Sequence, residues 1–242
     1  MKQRYFIELT YRGAHFHGWQ TQPDANSVQE TLEKGLSTIC RETITLTGSG
    51  RTDTGVHAAY YVAHFDSGHD DLDKTDFTHK LNSFFNSEIA VFSVIKVTAD
   101  AHARFDAVSR TYNYYIHQRK DPFLQDTSWF FPKRLNLDNM NNAARLLIGQ
   151  HDFTSFSKLH TDVKTNICMV HEAFWIRNGH QLIFKITANR FLRNMVRSVV
   201  GTLIDIGLGK LSPKDVGLIM ESLDRGKAGV SVPAHEIGRA HV

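Results

Sequence analysis

Two cysteines, Cys40 and Cys168, are all that this 242-residue chain holds, and they lie far apart in apolar contexts. That excludes a disulfide framework and a zinc knuckle, and both are expected to be reduced core residues. No apolar run reaches 18 residues, and Met1-Lys2-Gln3-Arg4 leads straight into a strand-like segment without an h-region. Neither a membrane-spanning helix nor a secretory leader is therefore indicated, and the chain is expected to stay in the cytoplasm. A phosphate-binding loop and a dinucleotide fingerprint are missing too, so nothing points to chemistry that draws on a nucleotide. No linker rich in Pro, Gly or Ser and no strong internal repeat divides the chain. Charge of one sign is also scarce: 28 Lys and Arg against 25 Asp and Glu leave +3, with fourteen histidines besides. That excess is too small to prove a nucleic-acid partner, and it permits one if the positive charge is gathered on one face. What is present, 41% hydrophobic and 22% charged residues, is the composition of an ordinary globular protein able to bury a sizeable core.

The chain is organised around Gly48-Ser-Gly-Arg-Thr-Asp-Thr-Gly-Val-His-Ala58. Three glycines in eight positions do not suit a helix interior and let the backbone approach a ligand closely. An alternating run, Thr43 to Thr47, precedes this loop, and Tyr60 to Phe65 follows it as a second strand. The loop presents Asp53 with Arg51 two residues before it and His57 four after. An aspartate among glycines commonly bonds its own backbone in a turn. Such a turn does not call for an arginine, whereas an arginine close to a carboxylate favours the ionised form, as a nucleophile or base requires.

Tyr5 to Tyr11 reads as a first strand, followed by an aromatic, histidine and glycine loop, Arg12 to Gln20. His15 and His17 lack a third ligand at a recognisable spacing, and no metal is proposed. Ser27-Val28-Gln29-Glu30 is a capping box ahead of a helix from about Val28 to Cys40, with Val28, Leu32, Leu36 and Ile39 on its apolar face. A short helix over Asp76 to Phe85 and a strand over Ala90 to Val97 complete a strand, helix, strand, strand, helix, strand order. This is the ferredoxin-like pattern that many RNA-binding sheets share.

In the second half, Ser109 to His117 alternates as a strand, with Tyr112 and Tyr114 on one face and Asn113 and Tyr115 on the other. Its aromatics lie among Arg104, Arg110 and Arg119, a pattern that suits base stacking beside phosphate contacts and equally suits half-buried core tyrosines. Leu137 to Ile148 reads as a helix, Gln150 to Phe156 as a loop or short strand. Val170 to Arg177 and Gln181 to Thr187 form a hairpin about Asn178-Gly179. The apolar stripe Leu192, Met195, Val196, Val199, Val200, Leu203 and Ile204 predicts a mostly buried helix from about Leu192 to Ile206. Arg190, Arg193 and Arg197 would share its other side at i, i+3 and i+7. A solvated basic face is the plain reading. Arg197, at the border of the apolar stripe, asks for a carboxylate partner, and Asp53 is the one nominated. Ser212-Pro213 starts a last helix that runs through Leu223, and Gly226 to Val232 is a loop expected to return towards the sheet.

Gly-Arg-Thr-Asp-Thr-Gly-Val-His-Ala at 50 to 58, His-Ala-Arg-Phe at 102 to 105, Arg-Thr-Tyr-Asn-Tyr at 110 to 114 and Phe-Leu-Arg-Asn-Met-Val-Arg at 191 to 197 resemble, in order, the TruA family of tRNA pseudouridine synthases. The resemblance implies an α+β fold of two ferredoxin-like halves forming a continuous, mostly antiparallel sheet, with helices on one face and a catalytic cleft between the halves. The halves are expected at 1 to 104 and 105 to 235. It implies isomerisation of uridine to pseudouridine at positions 38, 39 and 40 of the tRNA anticodon arm, without a cofactor or metal, by a homodimer. Asp53 matches the catalytic nucleophile, Arg197 the arginine that pairs with it, Arg51 the residue that helps displace the target nucleotide, and Tyr112 the tyrosine that stacks on the uracil. Arg104, Arg110, Arg190 and Arg193 are the candidates for phosphate contacts.

The end of the chain departs from the family, which continues with a strand of the form Gly-Leu-x-Leu-x-x-Val-x-Tyr whose first leucine packs under the uracil. Residues 236 to 242, Glu-Ile-Gly-Arg-Ala-His-Val, carry no strand pattern and coincide with one reading frame of a common sequencing adapter. They are expected to be a non-native tail, which would leave the chain without that final strand. Two rival functions stand beside the family reading. Asp53-Thr54-Gly55 is also the signature of retroviral-type aspartic proteases, although Arg51 sits where those enzymes carry a hydrophobic residue. A non-catalytic RNA-binding protein would bind tRNA and leave its uridines unchanged.

Overall fold

A computed structural model describes residues 2–158, 164–234 and 237–241, and it divides the chain into two compact units, 1–108 with 238–242 and 109–237. Residue 235, where the sequence reading ends the second half, lies outside the described residues. None of the described helices is long and apolar enough to cross a membrane.

In the first unit, β1 (Gln3–Tyr11) is followed by α1 (Val28–Cys40), β2 (Thr47–Gly48), β3 (His57–Ser67), α2 (Thr75–Phe84) and β4 (Ile89–Val97). Helix α1 forms where the capping box placed it, with the Ser27 side chain accepting the Glu30 N–H at 3.2 Å. Val28, Leu32, Leu36 and Cys40 recur every four residues and bury one stripe against the sheet. Strand β1 is central and pairs antiparallel with both β4 and β3. Its odd-numbered residues Tyr5, Ile7, Leu9 and Tyr11 are buried with Phe65, Phe77 and Leu81.

The run before the glycine loop is extended but is not the strand expected over Thr43 to Thr47. Ile44 and Leu46 are buried in the anticipated alternation, yet only Thr47 and Gly48 join the ladder, opposite His64 and Ala63. The backbone groups further back are taken by α1: Ser37 Oγ accepts the Ile44 N–H at 2.9 Å, Glu33 accepts the Leu46 N–H at 2.8 Å, and Gln29 donates to the Leu46 carbonyl at 3.1 Å. Side chains of the helix thus replace a neighbouring strand.

The second unit contains β5 (Arg110–His117), β6 (Trp129–Phe130), α3 (Leu137–Arg145), β7 (Gly149–Asp152), β8 (Ile167–Asn178), β9 (Gln181–Ala188), α4 (Met195–Gly207) and α5 (Asp215–Ser222). Strands β5, β9, β8 and β7 lie in that order, each antiparallel to the next. Asn178 pairs with Gln181, so the two-residue hairpin loop is Gly179-His180, one place beyond the expected Asn178-Gly179, with Gly179 at φ +58°. Tyr114, Trp175 and Phe184 are buried in this sheet.

Both units guard exposed strand backbone with a helical asparagine. Asn82 of α2 accepts the Val91 N–H at 2.7 Å and donates to the Val91 carbonyl at 2.8 Å. Asn141 of α3 does the same for Trp175, at 2.7 and 3.1 Å, where β7 no longer covers β8.

A last strand, β10 (Ile237–His241), pairs in parallel with β3 through Gly238 opposite His57 and Arg239 opposite Ala58. The expectation that the tail would form no strand is corrected. Pairing along β3 uses backbone groups, which any residue other than proline supplies, and does not need an alternating side-chain pattern.

Candidate active site

The loop carrying Asp53 is held from three sides within the first unit. Its own turn closes where the Val56 N–H meets the Asp53 carbonyl at 3.2 Å, with Gly55 at φ +83°. The segment after β1, which includes a 3₁₀ turn at Gly13–His15, then runs directly over it. Trp19 N–H donates to the Thr52 carbonyl at 3.2 Å, the Gly55 N–H to the Phe16 carbonyl at 3.3 Å, and the Gly13 N–H to His57 Nδ1 at 3.1 Å. The approach leaves no room for side chains: a Cβ on Gly18, whose φ is +91°, would lie 2.5 Å from the Thr52 oxygen, and one on Gly13 would lie 2.1 Å from the Val56 oxygen.

Below the loop is an aromatic floor. Trp19 and Tyr61 stack with ring centres 4.1 Å apart, and Tyr11 meets both, at 6.1 and 5.6 Å. Each phenol also fastens the loop: Tyr61 donates to the Gly50 carbonyl at 2.6 Å, and Tyr11 and Thr52 share a hydroxyl–hydroxyl bond of 2.8 Å. Asp53 is half-buried and Arg51 exposed on this one rigid loop. A carboxylate so fixed, with a guanidinium two residues away, suits attack on an electrophilic carbon or general-base work. His57 anchors Gly13 through its Nδ1. The sequence reading singled out the loop and missed Gly13, Gly18 and Trp19, because their roles rest on contacts remote in sequence; the dense Gly-Ala-His-Phe-His-Gly-Trp run was the one signal available.

Arg104 lies on the segment 101–106, which is docked to β1 and β3. Arg4 pairs with Asp66 through two bonds of 2.8 and 2.9 Å and donates a third to the Ala101 carbonyl at 3.1 Å. His64 Nδ1 accepts the Ala103 N–H at 3.1 Å. Burial, with Arg4 and His102 nearby, pushes the His64 imidazole down to about 4, so it is neutral at pH 7 and able to accept that bond. Arg104 itself is exposed, its guanidinium 5.9 Å from the centre of the Phe105 ring.

In the second unit Tyr112 is half-buried on β5 and meets Phe191 edge to face at 4.9 Å. The sequence reading used Phe191 only as part of a motif; the structure makes it the wall against which Tyr112 stands. Arg110 donates to the Asn189 carbonyl at 2.8 Å. The predicted basic row on one helix does not form. Asn194 takes a left-handed conformation, φ +69°, which ends the preceding loop and starts α4 at Met195, three residues later than the apolar stripe suggested. Arg190 and exposed Arg193 therefore precede the helix, and Arg197 is the one member of the row on it.

Arg197 is steered by the segment after α5. Its Nε donates to the Val232 carbonyl at 2.6 Å, and Val232 N–H donates to the Arg197 carbonyl at 3.3 Å. Asn194 holds Ser231 Oγ at 2.6 Å, and Gly229 N–H bonds Thr202 Oγ1 at 2.8 Å. The loop over Gly226 to Val232, expected to return towards the sheet, runs along α4 ahead of β10 in the chain. No group of three or more His, Cys, Asp or Glu side chains among the described residues could hold a metal ion.

The tRNA pseudouridine synthase family matches residues 9–106 and 143–242. The tRNA pseudouridine synthase A of Porphyromonas gingivalis is 51% identical over 237 residues, 97% of this chain and 94% of that protein. Those of Parabacteroides distasonis and Bacteroides fragilis are 47% and 50% identical, each over 97% of this chain and 93% and 94% of their own lengths. Identity of this order, spread over nearly the whole length of each partner, means that the chain belongs to the tRNA pseudouridine synthase family.

Proposed function

We propose that this chain, an isomerase by family, converts uridine to pseudouridine at positions 38, 39 and 40 in the anticodon stem-loop of tRNA. The observation that supports this best is the rigid presentation of Asp53 on a loop that glycine and aromatic contacts hold fixed. The C1′–N1 bond breaks with its electrons leaving on the uracil, the ring turns, and C5 bonds to C1′. The proton lost from C5 is matched by one gained at N1, so the reaction is redox-neutral and draws on no cofactor. Asp53, as carboxylate, attacks the sugar or otherwise assists the cleavage. Arg197 pairs with it, Arg51 takes the place of the extruded nucleotide in the stack, and Tyr112 stacks on the turned uracil and serves proton transfer at C5.

Arg104, Arg110, Arg190 and Arg193 are read as phosphate contacts, dispersed rather than aligned on a helix, and the active species as a cytoplasmic homodimer that binds the anticodon arm. Charge reversal at any one of the four arginines should weaken tRNA binding and flatten its salt dependence by about one unit of slope. The central experiment is pseudouridine formation in unmodified tRNA carrying U38, U39 or U40. The chain should modify these sites and Asp53→Asn should not, while still binding tRNA. Bound tRNA with every uridine intact would exchange the enzyme reading for that of a binding protein.

A further inference from the structure

Phe105 stands 76% exposed on a segment that is anything but loose. His102 N–H donates to Asp106 at 2.7 Å, the Arg104 and Phe105 N–H groups both point at His102 Nδ1, at 3.2 and 3.3 Å, and the Phe105 and Asp106 N–H groups reach the His102 carbonyl at 3.1 and 3.0 Å. The bonds to His64 and Arg4 described above fasten the same turn to the sheet. The His102 ring is stacked beneath Phe105, with centres 4.2 Å apart and planes 29° from parallel. The Arg104 guanidinium lies over the ring, 5.9 Å from its centre. A large aromatic held so firmly in water gains no burial from being there. An exposed ring backed by a second ring and in contact with a cation has the composition of a nucleobase platform, since bases stack on aromatic faces whatever their sequence and a cation suits the phosphate that follows.

We propose that Phe105 is a base-stacking residue for tRNA, receiving an unpaired nucleobase on the exposed part of its ring while Arg104 turns to the adjoining backbone. This rests on the reading of tRNA as the substrate and adds a contact that the pairing of Asp53 with its uridine does not require. A base gives up stacking on its neighbours when it is drawn out of a loop, and a fixed aromatic returns it. Leucine offers similar apolar area without a π face, so the two contributions separate.

The test measures tRNA binding by wild type, Phe105→Ala, Phe105→Leu and Phe105→Trp over a range of salt, with sedimentation of each protein alone. Loss of one stacked base corresponds to roughly tenfold weaker binding. Ala and Leu should both show it at every salt concentration with an unchanged log–log slope. Trp should bind like wild type, and its added fluorescence should be quenched by tRNA. Wild-type affinity in Phe105→Ala, or full recovery with Leu, overturns the proposal. So does a smaller sedimenting species in Phe105→Ala, which would assign the ring to a contact between two copies of the chain. If wild type binds tRNA and leaves its uridines unchanged, the proposed reaction fails and the stacking result still stands or falls by itself; if wild type does not bind tRNA at all, both fail.

Discussion

Arg197 and Val232 are joined in both directions: the arginine Nε–H enters the Val232 carbonyl at 2.6 Å, and the Val232 N–H returns to the Arg197 carbonyl at 3.3 Å. The orientation of the guanidinium is therefore tied to the path of residues 228–232 along α4. That path depends on two glycines at the crossing. A Cβ on Gly201 would fall 1.9 Å from the Val230 oxygen, and one on Gly229 would fall 2.6 Å from the Gly201 carbonyl carbon.

Gly201→Ala should accordingly push the segment off the helix. Overpacking of this kind costs about 1–3 kcal/mol, to be read by urea denaturation, and pseudouridine formation should fall further than tRNA binding as Arg197 loses its carbonyl. Gly217 in α5 is the matched control, because a Cβ there meets nothing within 4 Å. Gly217→Ala should be neutral or stabilising by up to about 1 kcal/mol. Equal behaviour of the two variants would show that the crossing does not constrain the helix.

Gly18→Ala places a side chain where φ is +91° and the Thr52 oxygen is 2.5 Å away. Relief requires the backbone on both sides of the contact to move, and Asp53 is the next residue. We expect a stability loss of about 1–3 kcal/mol and loss of isomerisation with tRNA affinity kept within a few-fold. Tyr61→Phe, which removes the hydroxyl that donates to the Gly50 carbonyl at 2.6 Å and accepts the Gly50 N–H at 3.4 Å, should cost about 1 kcal/mol and reduce turnover less. Undiminished turnover in Gly18→Ala would mean that the clamp over the loop does not position the carboxylate.

How far these features were legible follows from where their causes lie in the chain. Helix α1 was readable because its cap and its buried stripe are local, and the Asp53 loop because its glycines are. Helix α4 was begun too early since Leu192 is buried and in phase with the stripe, while the signal that stops the helix is the single left-handed Asn194. Thr43 to Leu46 kept its alternation and lost its ladder to Ser37, Glu33 and Gln29, whose polar side chains read as helix surface. The contacts of Gly13 and Gly18 with the loop, and of Val232 with Arg197, join residues far apart in sequence, and no pattern in one chain announces them. Strand β10 was missed because backbone groups can pair along β3 without an alternating side-chain pattern in the sequence.

Cys40 and Cys168 offer a test of the two cores without touching the site. Both are buried and unpaired, and burial pushes each thiol up to about 11. A thiol reagent at pH 8 should find neither in the folded protein and both once urea unfolds it, because the thiolate is the reacting species. Rapid labelling of one cysteine under native conditions would mean that its unit opens locally at small cost.

The pH dependence of stability should carry the mark of His64. Its imidazole, 6% exposed and facing Arg4, His102, Asp66 and Asp106, titrates near 4 in the folded chain against 6.5 for the free side chain. Between those values the unfolded chain binds the proton that the folded one refuses. Stability is thus complete above about pH 6.5 and declines as pH falls towards 4, by up to ~3 kcal/mol. Carboxylates held low by partners, such as Asp66 beside Arg4, lose their contribution at lower pH and steepen the acid end. His64→Asn separates the two, since its amide oxygen can replace Nδ1 as acceptor for the Ala103 N–H without titrating. The variant should unfold in urea with a midpoint that falls less than that of wild type from pH 7 to about pH 5, the remaining slope including His117, whose imidazole is also held low by burial. Parallel slopes in the two proteins would remove His64 as the cause and leave the docking of segment 101–106 indifferent to this proton.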